Sequence, residues 1–392
     1  MTAGDSARAG GWPGADAGDV ADEDATPRPL AGLRVLDLTR LLPGNYATLV
    51  MAGLGADVIK VEDPRAGDYI RDYGTQVQGQ GSLHHIVNRG KRSVALDLKS
   101  PSGRAAFESL AADAHVLMES FRPGTLDGLG YPASRLHELN PGLVICAISA
   151  FGATGPLKSL PAHDLNLLAW SGMLDRLRKS EHDDPLMPPI PLVDLLAGMT
   201  SALFTIPYAL HARSTGRGVV LDTPMAEAVS LLPQLITSEI LAGEPVPPGG
   251  VYRLAGGSPF YSLYRTADGC VAVAADEVRF RRILLRTAGI APPDWTRDGD
   301  DKRIGDELTA YFSGQSTADV LAAFADEPAC VSVVQSYETM LVSDQATERQ
   351  YVQRESADPM PVLSLPVTVD GRRLSIARGA PRHGEDDPEL GV

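Results

Sequence analysis

The chain has 392 residues and a formal net charge of −15, an acidic balance that argues against a nucleic acid as the main partner. Hydrophobic residues make up 44% of it and charged residues 22%, which is typical of a globular protein and excludes a largely disordered chain. A chain of this length can bury a sizeable core, and it is long enough to favour two lobes.

The cysteines and the N-terminal segment bear on the cellular compartment. Cys146, Cys270 and Cys330 are widely spaced and form no Cys-x-x-Cys or Cys/His pattern, so we expect neither a disulfide framework nor a zinc site. Residues 1–29 are rich in Gly, Ala, Asp and Pro, which predicts a disordered leader, and they lack the features of a secretory signal. These observations together favour a cytoplasmic protein.

Short apolar runs alternate with helical patterns in the first 150 residues. Residues 33–39 (LRVLDLT) predict a strand, residues 46–55 a helix and residues 56–62 a second strand, which together form a βαβ unit. Further elements are predicted at residues 93–98, 103–114, 115–120 and 143–149. This alternation is typical of a doubly wound α/β fold, although no GxGxxG follows the first strand and the usual dinucleotide fingerprint is therefore missing.

The second half of the chain predicts a long apolar helix and then a smaller α+β lobe over residues 221–334. Residues 195–212 are about long enough to span a bilayer, but they contain Thr, Ser and Pro, so we interpret them as a core helix and expect no membrane partner. Two strand-like runs at residues 258–266 and 270–275 are joined through Asp268-Gly269, a hairpin signal. The charged end of the chain, GEDDPEL, is expected to be solvated.

The candidate chemistry centres on His163 and Asp164, followed thirty residues after Asp164 by Asp194. An imidazole and a carboxylate on opposite sides of a substrate carbon can remove a proton from one face and return it to the other, which is racemase or epimerase chemistry. Each residue also has a structural interpretation. His163 could be a core residue, Asp194 and Asp164 could cap helices, and Glu277 could lie at a helix start, where carboxylates are common.

Seven ordered segments resemble the class III CoA-transferase family, also called CaiB/BaiF. They lie at residues 30–64, 88–104, 119–131, 148–156, 163–174, 216–225 and 264–280, and include LAGLRVLDLTRLLPGN, ESFRPGTLDGLGY and HDLNLLAWSGML. The resemblance implies a Rossmann-like large domain assembled from residues 30–220 and 335–392, with the small domain between. It also implies an acyl-CoA substrate, with CoA as part of that substrate and no other cofactor, and a homodimer of two interlocked ring-like chains.

Within this family the residues around Asp164 favour one branch. Transferases use the aspartate at this position as a nucleophile, and they commonly carry a glutamine four residues later and a GGGGQ-type loop. This chain has Leu168 and AGGSPFY (residues 255–261) instead. AHDLNLLAWSG is similar to GHDINYLALSG of the α-methylacyl-CoA racemases, apart from Ala162 and Leu167. The resemblance implies that His163 and Asp194 are the acid/base pair. It also matches Glu277 to a glutamate that follows a small-domain strand in the racemases.

For the CoA phosphates, the candidate cations are Arg89, Lys91, Arg92, Lys99 and Arg122. The family resemblance favours Lys99 and Arg122, whereas Asp63 occupies a position that is usually basic in the racemases. Two alternatives to a racemase stay open. One is a CoA transferase that works through a covalent intermediate on Asp164. The other is a CoA-binding subunit without activity, suggested by the changes at Ala162, Leu167 and Asp63.

Overall fold

The computed structural model describes residues 26–180, 182–293, 300–354 and 357–386. Most of the predicted leader (residues 1–25) and the end of the predicted solvated tail (residues 387–392) lie outside the described residues.

A six-stranded parallel sheet forms the centre of the protein. Its strands are β1 (Arg34–Leu38), β2 (Asp57–Glu62), β3 (Lys91–Ala95), β4 (Val116–Glu119), β5 (Val144–Ser149) and β6 (Val220–Pro224). They lie in the order β3-β2-β1-β4-β5-β6, and every pair is parallel. The strand order therefore reverses between β1 and β4, where ligands bind in folds of this class. The predicted α/β class is confirmed.

Helices cover both faces of this sheet because strand residues alternate between two cores. Val35 and Val116 point into one core with helices α1 (Leu41–Gly53) and α4 (Leu192–Thr215), whereas Leu36 and Leu117 point into the other with helix α2 (Pro101–Asp113). Helix α3 (Asp164–Trp170) adds Leu167 and Leu168 to the first core. The remaining α-helices described before β6 are Ser82–Val87, Thr125–Gly128, Ala133–Leu139 and Met173–Arg176.

Helices α1 and α4 pack at close range. A Cβ atom on Gly198 of α4 would lie only 2.5 Å from the carbonyl oxygen of Pro43 in α1, so glycine is required for this approach. Of the described helices, α4 alone has the length and apolar composition of a membrane span, but one face of it contributes to the core, as predicted. Its other face exposes Leu203, Phe204 and Tyr208, which are 66%, 49% and 44% exposed.

The second half of the chain forms a separate small core. Strands β7 (Tyr261–Arg265) and β8 (Cys270–Ala274) form the predicted hairpin, and β9 (Val331–Val333) pairs with β8 in the same antiparallel sheet. The α-helices described after β6 are Met225–Ser230, Gln234–Leu241, Val278–Thr287, Asp301–Ser313, Thr317–Ala323, Tyr337–Leu341 and Asp344–Glu348. Near the chain end, Leu365 and Ile376 pack against Leu49 of α1. The predicted boundary between the large and the small domain lies at residue 220, but β6 of the central sheet continues to Pro224. The exact domain boundaries therefore stay a prediction.

Candidate active site

Two adjoining cavities lie at the carboxyl ends of the parallel strands, beside the point where the strand order reverses. The first, called here the His163 cavity, has a volume of about 240 Å³ and includes residues that follow β1, β4, β5 and β6: Arg40, Ser120, Phe121, Ala150 and Met225. The second, called the Lys99 cavity, also has about 240 Å³ and lies over the ends of β1 and β2. Arg40 and Phe121 line both cavities, so one extended ligand can contact both.

His163 and Asp194 line the same cavity although thirty-one positions separate them in the chain. His163 is the residue before α3, and its extended backbone donates its N–H to Asn166 Oδ1 at 3.1 Å. Asp194 lies in the first turn of α4. The structure thus brings together an imidazole and a carboxylate at the beginnings of two helices, which is the pair that the sequence singles out.

The electrostatics of this pair favour proton transfer near neutral pH. The pKa of Asp194 is raised to about 6, mainly by burial and also by the negative charge of Asp164, while His163 opposes the shift. A carboxyl group with a pKa close to the working pH can both accept and donate a proton, which is what a two-base mechanism requires.

Asp164 has a different environment from its neighbour His163. Its Oδ1 atom accepts hydrogen bonds from the backbone N–H groups of Val193 at 2.6 Å and Asp194 at 3.1 Å, and the residue does not line the His163 cavity. Helix α4 begins after Pro191, which makes no side-chain cap, so its first N–H groups need an acceptor from elsewhere. Asp164 supplies that acceptor and so joins the start of α3 to the start of α4.

Of the five predicted CoA-binding cations, Lys99 and Arg122 lie at the cavities. Lys99 lines the Lys99 cavity and Arg122 lines the His163 cavity. Asp63, the acidic exception noted in the sequence, also lines the Lys99 cavity, where its carboxylate accepts the backbone N–H groups of Arg65 and Ala66.

The prediction is corrected for Arg89, Lys91 and Arg92, which line neither cavity. Lys91 is fully buried, and its Nζ atom donates to Asp37 Oδ2 at 3.0 Å and to Asn88 Oδ1 at 2.7 Å. Arg89 is buried and pairs with Asp358 at 3.7 Å, while Arg92 pairs with Asp57 at 2.6 Å. These three cations are engaged within the fold, and we exclude them from the candidate CoA site.

Glu277 is likewise not brought to the acid/base pair within one chain. It is an exposed residue that precedes the helix Val278–Thr287 of the small core, and it lines neither cavity.

Sequence reasoning missed Arg40 and Lys158, which both line the His163 cavity. Arg40 comes two residues after the end of β1, and its guanidinium lies over the rings of Tyr69 and Phe121, 5.6 and 5.7 Å from their centroids. Its position at the carboxyl end of the first strand is a signal that the sequence already contains, because ligand sites in doubly wound folds lie at that edge.

Comparison with known proteins gives the family of the chain. The alpha-methylacyl-CoA racemase of Homo sapiens is 32% identical over 342 residues, which cover 85% of this chain and 85% of the racemase. The succinate–glutarate CoA-transferase of Agrobacterium fabrum is 28% identical over 384 residues, which cover 92% of this chain and 94% of the transferase. Relatives with either activity therefore align over most of the chain.

The fold comparison agrees. The crystal structure of a CAIB/BAIF family protein from Brucella suis superposes with a TM-score of 0.78 and 26% identity, covering 92% of this chain and 97% of that structure. The sequence pattern of CoA-transferase family III matches residues 30–387. The predicted resemblance is confirmed, and the chain belongs to CoA-transferase family III.

Proposed function

We propose that this protein is an acyl-CoA racemase or epimerase that inverts the α-carbon of a 2-methylacyl-CoA or a related acyl-CoA. One observation carries the proposal: His163 and Asp194 line one cavity, while the carboxylate of the neighbouring Asp164 accepts two backbone N–H groups at the start of α4. The alignment with a racemase from Homo sapiens over 85% of the chain also supports it.

In the proposed reaction, one member of the pair removes the α-proton and the other returns a proton to the opposite face. When the α-carbon–hydrogen bond breaks, its electron pair moves toward the thioester oxygen to give an enolate, and the proton passes to His163 or Asp194. A new carbon–hydrogen bond then forms with the proton of the other group. Lys99 and Arg122 are proposed to bind the phosphates of CoA, which enters as part of the substrate.

CoA transfer through Asp164 is the second candidate, and relatives such as the Agrobacterium fabrum transferase favour it. In that reaction a carboxylate oxygen of Asp164 attacks the thioester carbonyl and the CoA thiolate leaves, which produces a mixed anhydride. Both backbone N–H groups, of Val193 and Asp194, bind Oδ1 of Asp164, so Oδ2 would be the attacking oxygen in this reaction.

Incubation of the protein with branched acyl-CoAs in deuterium oxide tests the proposal. A racemase incorporates deuterium at the α-carbon and equalises the two epimers, as measured by mass spectrometry and chiral chromatography. The His163→Ala variant is the control for background exchange. Absence of exchange across a panel of acyl chain lengths contradicts the proposal, and hydroxylamine capture of an acyl group on Asp164 during turnover favours transfer instead.

A homodimer of interlocked chains is also proposed. The exposed Leu203, Phe204 and Tyr208 on α4 form an apolar surface whose burial against a second copy would be favourable. Because Glu277 lines neither cavity within one chain, a catalytic role for it requires a second chain to bring it there. Light scattering of the purified protein tests the dimer, and a monomeric mass contradicts it.

A further inference from the structure

Arg40 occupies the wall that the His163 and Lys99 cavities share. Among the residues that the structure describes, no carboxylate lies within ion-pair distance of its guanidinium, which instead stacks on the rings of Tyr69 and Phe121. By contrast, the buried Lys60 and Lys91 both have carboxylate partners within 3.0 Å. A half-buried guanidinium that faces a cavity without a carboxylate partner has its hydrogen-bond donors available for a ligand.

The backbone around Arg40 is held in place by half-buried and buried polar groups. Its N–H donates to Ser120 Oγ at 2.8 Å. The next residue, Leu41, has a φ of 60°, which is unfavourable for a side chain of this size, and its N–H donates to Asp68 Oδ1 at 2.9 Å. Asp68 in turn is fixed by Lys60 Nζ, 2.9 Å from its other carboxylate oxygen. The Arg40 side chain therefore starts from a rigid point.

The charge of the His163 cavity is opposite to that of the whole chain. Arg40, Arg122 and Lys158 place three cationic side chains beside His163, whereas Asp194 is the one carboxylate among the described residues that line it. The chain as a whole carries a net charge of −15. Since unpaired cations near a cavity raise the local concentration of anions and stabilise them when bound, this arrangement suits a ligand with a negatively charged group.

We propose that Arg40 is a ligand-binding residue that holds an oxyanion of the substrate at the junction of the two cavities. Its rigid planar guanidinium matches the paired oxygens of a carboxylate or a phosphate. In an acyl-CoA, that group is either a second carboxylate on the acyl chain or a phosphate of the CoA moiety. The inference rests on the proposed acyl-CoA function, because it assumes that one CoA ligand extends along both cavities.

Equilibrium binding of unreactive CoA thioethers tests the inference without any turnover. The probes are S-(3-carboxypropyl)-CoA, S-(3-carbamoylpropyl)-CoA, which has an uncharged amide in place of the carboxylate, and S-(3-carboxypropyl)-pantetheine, which lacks all the phosphates of CoA. Calorimetry compares the wild type with Arg40→Met, Arg40→Lys and Arg135→Met. Arg40→Lys keeps the positive charge but lacks the planar guanidinium that can donate two parallel hydrogen bonds. Arg135 is a matched control because it pairs with Glu108 and Glu138 outside both cavities.

We expect Arg40→Met to weaken binding of S-(3-carboxypropyl)-CoA about 10- to 100-fold. Arg40→Lys is expected to weaken it less, and Arg135→Met is expected to bind it as tightly as the wild type does. A loss confined to the two carboxylate probes identifies an acyl carboxylate as the partner. An equal loss for both CoA thioethers, absent for the pantetheine probe, identifies a phosphate of CoA as the partner. Circular dichroism melting checks that each variant is folded. If Arg40→Met does not fold, Arg40→Lys alone is compared with the wild type.

Binding of all three probes by Arg40→Met and Arg40→Lys within twofold of the wild type overturns the inference. A wild type that binds no CoA thioether overturns both the inference and the acyl-CoA assignment. Tight thioether binding that depends on Arg40, in a protein that shows no α-proton exchange, supports the inference and contradicts only the proposed racemisation.

Discussion

The carboxylate of Asp164 accepts the backbone N–H of Asp194 at 3.1 Å, so the residue that aligns with the transferase nucleophile helps to fix the start of the helix that carries the proposed acid/base. The same contact places a negative charge beside Asp194 and contributes to its raised pKa. Asp164 is therefore expected to affect catalysis by positioning Asp194 and by its charge, without forming a covalent bond.

Substitutions at His163 and Asp164 separate the two proposed chemistries. His163→Ala removes an acid/base group and is expected to lower α-proton exchange about 10²- to 10⁴-fold while the melting temperature and CoA affinity stay unchanged. Asp164→Asn keeps an oxygen that can accept the helix N–H groups, so exchange is expected to stay within about tenfold of the wild type, whereas Asp164→Ala loses about 1 kcal/mol of stability with the cap. If Asp164→Asn shows no turnover while His163→Ala remains active, the protein is a transferase.

The pH dependence of exchange is expected to report Asp194. The group must be ionised to act as a base, and its pKa is raised to about 6 by burial and by the charge of Asp164. The value of kcat/KM for the epimer that Asp194 deprotonates is therefore expected to rise with pH through about 6. Asp194→Asn is expected to lose this limb together with most of the rate. Rates that are flat between pH 5 and 7 in the wild type contradict the assignment.

Two lysines that the sequence groups together are expected to respond differently to substitution. Lys99→Gln removes a charge at the Lys99 cavity and is expected to weaken CoA binding about 10-fold with no loss of stability. Lys91→Met leaves Asp37 buried with one fewer partner and is expected to cost about 3–5 kcal/mol of unfolding free energy. Calorimetry and urea unfolding measure the two effects, with Arg92→Gln as the partly exposed control. A stable Lys91→Met variant with weakened CoA binding contradicts the assignment of Lys91 to the core and not to the CoA site.

Glu119 is expected to make stability depend on pH. The pKa of this carboxyl group is raised from 4.5 to about 7, mainly by burial and also by the charges of Asp127 and Asp222, while the hydrogen bond from the N–H of Phe121 opposes the shift. The folded state thus binds the proton more tightly than the unfolded state, so stability is highest below pH 4.5 for this group and falls as the pH rises to about 7. The loss is about 3 kcal/mol at most.

Glu119→Gln removes that dependence and keeps an oxygen for the N–H of Phe121, which lies 2.5 Å from the Glu119 carboxylate. The variant is expected to be more stable than the wild type at pH 8 and similar to it at pH 4.5, as measured by urea unfolding. Glu138→Gln is the exposed control. An equal difference between variant and wild type at both pH values shows that Glu119 does not titrate in this range.

The sequence predicted those features that depend on neighbouring residues. The alternation of strands with helices and the Asp268-Gly269 hairpin follow from local patterns, and the structure contains both. The basic run at residues 89–92 misled because burial depends on the rest of the fold: Lys91 points inward from β3 to a carboxylate on β1. The hydrogen bond between Asp164 and Val193 joins residues twenty-nine positions apart, and no local pattern reports it.

The contact between Gly198 and Pro43 limits how this protein can change its substrate range. It lies near the beginnings of α1 and α4, where Leu41 and Asp194 line the His163 cavity. Because the backbone of α1 meets a residue without a side chain there, the two helix ends cannot move closer. The distance from the α1 end of the cavity to Asp194, the proposed proton-transfer group, is therefore fixed by the fold. We therefore expect adaptation to longer or shorter acyl chains to change side chains that line the cavity, such as Leu160 and Met225, while Asp194 keeps its position.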